Sequence, residues 1–220
     1  MLAACAFGIE GSGNVKSESR NVSAFNALEL KNAANVYITQ GEKTEVRVEA
    51  EDNILPLILT SVKNNTLIID CEENIRTHEA VNVYITVKEL CDAELSGSGS
   101  IITKSELRCD KMNLRLSGSG TVKFDVSASH LKTTLSGSGN MELNGSSDES
   151  SMRISGSGNI DARKMKTVMS TVHISGSGSA RVDVNRELNV NITGSGNVRY
   201  VSEPAKVITN ITGSGEVQKI

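Results

Sequence analysis

The chain has no tryptophan, two prolines and a combined Phe, Tyr and Trp content of 3% in 220 residues. A core must then be made from Val, Ile, Leu, Met and Ala, which suits a narrow, evenly layered interior better than an irregular globular centre. Glycine is scarce wherever it is not patterned. Of 19 glycines, 16 lie in eight GSG triplets, and only Gly8, Gly41 and Gly145 lie elsewhere. No stretch after the first dozen residues approaches the ~18 apolar residues of a membrane-crossing helix. The formal net charge of −3 offers no basic patch of the kind nucleic acid requires, so nucleic acid is not an expected partner. Residues 42–94 carry twelve Asp or Glu against five Lys or Arg, which leaves +4 for the remainder; this mild polarity reads as solvated surface. Three cysteines, Cys71, Cys91 and Cys109, have neither CxxC nor His-rich spacing, so a zinc site is not expected. They read as buried thiols acting as small hydrophobes, with one disulfide left open in an oxidising envelope compartment.

Repetition dominates what remains. LSGSGSI at 95–101, LSGSGTV at 116–122, LSGSGNM at 135–141, ISGSGNI at 154–160, ISGSGSA at 174–180, ITGSGNV at 192–198 and ITGSGEV at 211–217 follow one another with leader intervals of 21, 19, 19, 20, 18 and 19 residues. A fixed period of this size means stacked structural units. An eighth, altered copy, IEGSGNV at 9–15, stands apart.

Apolar or small residues stand two and four positions before the leaders (Met112 and Leu114, Leu188 and Val190), and residues such as Val122 and Phe124 or Met141 and Leu143 stand six and eight after them. Each side of the turn keeps one parity, so every repeat holds two strands that point alternate side chains into a shared interior. Gly97, Gly99, Gly118, Gly120, Gly137, Gly139, Gly156, Gly158, Gly176, Gly178, Gly194, Gly196, Gly213 and Gly215 are the expected corner residues. A tight corner needs positive φ, and corners stacked ~4.8 Å apart leave little room for side chains. A Gly-rich phosphate cradle is excluded, because there is no G-x-G-x-x-G, no GK[ST] and no following helix. Two strands of about six residues and two turns account for ~19 residues, which predicts an all-β solenoid with two-sheet coils. Strand crossovers predict a right hand. Position seven of the repeat faces solvent, and Lys123 with Glu142 and Asp161 with Arg181 are expected to pair between neighbouring coils, each pair worth ~0–1 kcal/mol. Residues 206–220 show no cap, so another chain covering that end is an expectation, and a homo-oligomer through an edge or end with it.

The first half reads as degenerate coils, making residues 9–220 one domain. LKNAANVYI from Leu30 aligns with LSGSGNMEL from Leu135, and Leu30 follows Ile9 by 21 residues, so Leu30 is expected to lead a coil whose glycines were replaced. Residues 40–43 read as a hairpin-like or corner turn, and Asn64-Asn65 as a two-residue hairpin, because Asn tolerates positive φ. EDNILPLIL at 51–59 reads as an insertion over the solenoid edge, with Asp52 or Asn53 capping one helical turn. Residues 1–8 read as the end of a lipoprotein signal: Leu2-Ala3-Ala4-Cys5 places two small residues before the thiol that would be lipidated, although no charged or long apolar region precedes it. Lipid on Cys5 would be the one membrane attachment.

The SGSG repeats, NVSAFNALELKNAANVYITQ and DNILPLI together resemble the bacterial putative auto-transporter adhesin family defined by the head GIN domain, over about residues 14–218. The resemblance implies a right-handed β-solenoid with glycine-rich turns between two sheets, an envelope or surface location in Bacteroidetes-type bacteria, and a role in adhesion. It transfers no catalytic residues. The expected function is thus a noncatalytic, adhesin-like module presenting a repetitive face to a glycan or protein partner, with no cofactor or metal. The alternatives are a β-helix polysaccharide-degrading enzyme and a self-assembling scaffold. For the enzyme, His78, His130 and His173 fall at unrelated phases, Asp161 and Asp183 read as isolated, and no aromatic sugar platform is evident, whereas glycoside chemistry needs paired acids.

Overall fold

The computed structural model describes residues 8–220; the expected lipidation site at Cys5 lies outside them. Leu95–Ile101 and its copies stack in strict parallel register. Ile69, Leu30, Leu95, Leu116, Leu135, Ile154, Ile174, Ile192 and Ile211 form one continuous column of leaders. The fold is a β-solenoid. Thr121–Gly137, Asn140–Gly156, Asn159–Gly176 and Ser179–Gly194 are each nearly a whole coil of unbroken strand, interrupted only at the GSG corner. Inward residues fall in two runs per coil, for example Val122, Phe124, Val126 and Ala128, then Leu131, Thr133 and Leu135. The change of phase between Ala128 and Leu131 marks a second corner, which carries no glycine signature.

The inward apolar side chains of the inner coils are buried, among them Leu114, Phe124, Leu135, Leu143, Ile154, Val172 and Val190. Each fully buried Val, Leu, Ile or Phe side chain contributes roughly 1.5–3 kcal/mol relative to exposure. Coil-length differences never disturb the leaders. The extra residues of Asn159–Gly176 are taken up as irregularities between Glu142 and Asn144 on one neighbour, and between Ala162 and Lys166 and between Thr167 and Met169 against the other. The first two lie between the GSG corner and the second corner, and the third lies at the second corner itself.

The first half departs from expectation in its order. Ala27–Leu30 and Asn35–Gln40 form the coil expected from Leu30, in register with Asp92–Gly97 and Ser100–Thr103. Its other neighbour, however, is the later segment made of Thr66–Cys71 and Asn82–Val87. The chain therefore lays its first coil in the middle and its second on the outside. Residues 41–44 are not a hairpin. They carry the chain past Asn82–Val87, which lies between Asn35–Gln40 and Glu45–Glu51 and pairs with both. Asn64 and Asn65 do make the expected hairpin turn, at φ 49° and 61°, and join Ile58–Lys63 to Thr66–Cys71.

This end of the stack is closed by antiparallel strands. Ile58–Lys63 lies against Thr66–Cys71, Glu45–Glu51 against Asn82–Val87, and Val15–Arg20 against Glu45–Glu51. A single 3-10 turn at Leu55–Leu57 follows, with Ile54, Leu55 and Ile58 buried as a plug. The turn exists as expected, but its N-cap is Ile54 and no side chain caps it.

Asp52 and Asn53 instead hold the N-terminal GSG, which corrects the reading of 9–15 as an outlying coil. Ile9–Glu10 pairs with Ile75–Arg76 in a separate two-stranded sheet. Ser12 Oγ donates to Asp52 at 2.6 Å, Asn14 Nδ2 donates to the other Asp52 oxygen at 2.8 Å, and the Ser12 amide donates to Asn53 Oδ1 at 2.9 Å. Gly13 N donates to Oε1 of the fully buried Glu51 at 2.7 Å, and His78 N donates to Oε2 at 3.1 Å. Gly11 serves close approach to the Glu51 carboxylate and Gly13 supplies a positive φ of 75°, so neither belongs to a stacked corner. The Ser12, Asn14 and Lys16 contacts lower the Asp52 pKa to about 2.

Candidate binding surface

Within the array the two demands expected of the corner glycines, positive φ and close approach, fall differently on the two glycines of each triplet. The first glycine (Gly118, Gly137, Gly156, Gly176, Gly194, Gly213) has φ between 113° and 123°. A Cβ on Gly156 would stand 2.5 Å from the carbonyl oxygen of Gly137 beneath it. The second glycine has ordinary φ, faces inward and is required for space: a Cβ on Gly139 would meet Leu116 Cδ2 at 2.6 Å and Gly120 O at 2.7 Å. Corner backbones also bond to one another. Ser138 N and Gly139 N both donate to Gly118 O, at 3.1 and 3.0 Å. Gly97 and Gly99 begin the series against the glycine-free corner at 31–34, and neither has positive φ. These corners align one hydroxyl per coil, at Ser96, Ser117, Ser136, Ser155, Ser175, Thr193 and Thr212, spaced by one strand separation of ~4.8 Å.

Beside this ridge runs the charged row expected at position seven. Lys123 and Glu142 are 3.5 Å apart, and Arg181 lies 3.7 Å from Asp161. Asp161 is not isolated, because Arg163 binds it more closely, at 2.6 Å. That hydrogen bond holds the Asp161 carboxyl below its usual range. A ladder of amides and hydroxyls accompanies the row: Asn159 Nδ2 donates to Asn140 Oδ1 at 3.1 Å and Ser179 Oγ to Asn159 Oδ1 at 2.6 Å. Exposed neutral and charged groups already paired in this way leave few unpaired donors, although Lys123, Glu142, Asp161 and Arg181 line an open depression of their own.

The second corner has more relief. Two open grooves flank it, one on each side. The first is lined by Ser127, Ser146, Asp148, Lys166, Asp183 and Asn185, and the second by Lys111, His130, Lys132, Glu149, Glu187 and Asn189. Both run across several coils, because Ser127, Ser146, Lys166 and Asp183 are register partners, as are Lys111, His130 and Glu149. Their walls carry hydroxyls, carboxylates, ammonium groups and amides, interleaved with apolar surface from Ala128 and Val168 in the first and from Met112, Leu131 and Met169 in the second. His130 Nδ1 lies 3.4 Å from Glu149. The floor is polar as well: Ser147 Oγ donates to Glu149 O at 2.7 Å, and Ser150 Oγ donates to Ser170 Oγ at 2.7 Å, from buried positions. Sequence reasoning passed over this surface because it looked for glycine corners. The available signal was the serine-rich SSDESS at 146–151 and the changing coil length.

Two tyrosines missed as a pair also come together. NVYIT occurs at 35–39 and again at 82–86, in register, so Tyr37 and Tyr84 stack with centroids 5.3 Å apart. Lys104 sits 4.5 Å over Tyr37 and Arg47 4.1 Å over Tyr84. Both outer ring faces are thus covered by cations, and the pair stabilises the closed end of the stack without offering a stacking platform.

The cysteines differ from expectation: Cys71, Cys91 and Cys109 are free and half-buried, not fully buried. Burial, then the neighbouring Cys91, pushes the Cys109 thiol up to about 11, which keeps it protonated and a weak nucleophile near neutral pH. Among the described residues no group of three or more His, Cys, Asp or Glu is placed to hold a metal ion, and no helix is long and apolar enough to cross a membrane. His78, His130 and His173 lie far apart in the stack, beside Glu10, Glu149 and Asn191 respectively.

A stack of near-identical coils, shut at one end and grooved along its glycine-free corner, defines a repeat-built β-solenoid of the kind that presents an extended surface. The family profile described as putative auto-transporter adhesin, head GIN domain, matches residues 24–204, and the chain belongs to that family. The structure is similar to that of a putative adhesin from Bacteroides fragilis, with a TM-score of 0.89 and 22% identity over 97% of this chain and 100% of that one. It is also similar to a putative adhesin from Parabacteroides distasonis, with a TM-score of 0.85 and 24% identity over 96% and 99%. A putative lipid binding protein from Parabacteroides distasonis has a TM-score of 0.79 and 24% identity over 96% and 99%. At such identities the likeness shows the fold. No curated protein matches the chain in sequence.

Proposed function

We propose that this protein is a noncatalytic, adhesin-like module of the bacterial cell envelope, and that it holds an extended polysaccharide in the grooves flanking the second corner. The observation that carries this reading is the wall chemistry. Hydroxyl, carboxylate, amide and ammonium groups recur coil by coil at a constant spacing, which matches a polymer that repeats its own hydroxyls. Individual contacts of this kind are weak, and repetition along one ligand raises their combined strength. The noncatalytic part of the reading is supported by the family description, by the distance between the histidines and by the engagement of Asp161 with two arginines. An envelope location is supported by the family, and attachment through lipid on Cys5 belongs to the same proposal; mass spectrometry of the native protein tests it, and an unmodified Cys5 ends it.

The groove reading is tested by screening the full chain against a glycan array and repeating the positive ligands with Asp148→Ala/Asp183→Ala. At least a tenfold loss of affinity is expected, equivalent to about 1.4 kcal/mol. Binding that is indifferent to this variant, or selective capture of extended peptides in place of glycans, overturns the groove assignment. Release of new reducing ends from a bound polysaccharide overturns the noncatalytic reading.

A further inference from the structure

The two grooves flank the same corner and differ in charge. Residues 42–94 carry a balance of −7, whereas residues 95–220, which hold both grooves, carry fifteen Lys or Arg against eleven Asp or Glu, a balance of +4. The first groove does not hold the excess, because it sets Asp148 and Asp183 against Lys166. In the second, each acid has a cation beside it: Glu149 lies 3.4 Å from His130 and Glu187 lies 3.5 Å from Lys206. Lys111 and Lys132 also line this groove, and neither forms an ion pair among the described residues. Asp110, next to Lys111 in the chain, lines neither groove. Arg153, likewise without an ion pair among the described residues, extends the two lysines into a line. Lys111 is in register with His130, two residues before Lys132, and Lys132 is in register with Ser151, two residues before Arg153. Each step therefore crosses one strand spacing and advances two residues, roughly 8 Å in all. The three side chains are exposed and alternate with buried Met112, Leu131, Thr133, Met152 and Ile154, so all point outward from one sheet. Arg115 on the same sheet shows what a structural cation looks like here: Asp92 and Glu94 each bond it at 2.8 Å.

We infer that the line Lys111, Lys132 and Arg153 receives the acid groups of an anionic polysaccharide, carboxylate or sulfate, whose sugar rings lie against Leu131 and Met169 in the second groove. The inference rests on the groove reading above and narrows it to one charge class. Like charges set side by side on a sheet repel one another, and a polymer with an acid group on its repeating unit relieves that repulsion at every step. Asn113, Thr134 and Ser151 occupy the positions beside the three cations and offer amide and hydroxyl groups to the sugar hydroxyls. Two features select a polysaccharide over other polyanions. Single-stranded nucleic acid is held by stacking on aromatic side chains, and the Tyr37–Tyr84 pair has both outer faces covered by cations. A lipid surface is flat, whereas Lys111 and Lys132 line a recess. One exposed cation contributes little alone, so the strength comes from several engaged along one chain.

The test compares the affinity of the full chain for polygalacturonate, dextran sulfate and unsubstituted dextran at low and at high salt. At least one acidic polymer is expected to bind about tenfold tighter than dextran at low salt, to lose that advantage at high salt, and by its identity to show whether carboxylate or sulfate is read. Lys132→Gln/Arg153→Gln is expected to weaken the acidic polymer about tenfold. Lys164→Gln/Arg199→Gln removes two exposed cations from the sheet that follows the GSG corner, with the same change in net charge, and is expected to stay within about twofold of the wild type. The salt dependence of the unmutated chain is a readout independent of any variant's folding. Equal losses in the two double variants mean attraction to overall charge and overturn the inference. Acidic and neutral polymers that bind alike, with Asp148 and Asp183 still required, overturn it and leave the groove reading standing, whereas binding to no polysaccharide overturns both. Single-stranded DNA or phosphatidylglycerol vesicles that bind more tightly than any glycan, and are lost in Lys132→Gln/Arg153→Gln, overturn the choice of partner.

Discussion

Residues 95–220 and residues 8–94 build the same kind of coil under different constraints, and glycine use records the difference. From Gly118 onward every array corner lies on a matching glycine corner, and a Cβ at the first glycine would reach the carbonyl of the coil below. At 31–34 the corner is made of Lys, Asn and two alanines. Its neighbour on the outer side is the long loop between Cys71 and Asn82, not a second tight turn. Asn32 Oδ1 accepts from the Ala34 amide at 3.0 Å and closes this turn from a side chain. Glycine is thus a demand made by the neighbour, and a corner beside a wide loop escapes it.

The sharpest way to break this comparison is to add a methyl group at an array corner and remove one from the glycine-free corner. Gly156→Ala combines positive φ with a backbone clash and is expected to destabilise by about 3–4 kcal/mol, whereas Ala33→Gly changes stability by less than about 1 kcal/mol; equal losses in urea unfolding would contradict the argument. Ile54→Ala opens the plug and should cost about 2–4 kcal/mol. Hydrogen exchange should localise that loss to residues 45–90 and leave the amides of 140–194 protected, as expected if coils contact only their neighbours.

A smaller change of opposite sign is expected within the array. Thr133 is fully buried at an inward position between Leu114 and Met152, and its Oγ1 has no partner. Thr133→Val removes that unpaired hydroxyl and should stabilise by about 1 kcal/mol, read as a higher urea midpoint. The smallest effect belongs to the N-terminal latch. Asp52 titrates at about 2 against an ordinary 3.8, so its contribution is complete above the ordinary value and is lost as pH falls through about 2. The difference in melting temperature between the wild type and Asp52→Asn should be constant near neutrality and shrink below about pH 4; a difference that persists to pH 2 would show that the latch does not depend on this charge.

The coil, its leaders and its solvent-facing pairs were legible because a 19-residue period and two-residue alternation report directly on stacking and burial. Alternation says nothing about strand direction, so the antiparallel strand at Glu45–Glu51 looked like part of a further coil, whereas Asn64-Asn65 did report the antiparallel pair that it joins. The IEGSGNV copy misled for a related reason. A missing Cβ permits close approach to any neighbour, and at Gly11 that neighbour is the Glu51 carboxylate, not a second corner. The 21-residue spacing from Ile9 to Leu30 was coincidence. The grooves stayed hidden because the second corner turns without positive-φ residues in most coils; Gly145, at φ 112°, is the one glycine of 121–200 outside the triplets.

The placement of irregularities has one more consequence. The irregularities between Asn159–Gly176 and its two neighbours fall between the GSG corner and the second corner, or at the second corner, while the leader column keeps perfect count. The hinge side therefore works like the spine of a ring binder. Leaves of unequal width can be added, lost or rewritten at their free margin, and duplication of one leaf would lengthen the reading surface by a single ~4.8 Å step without refitting the rest.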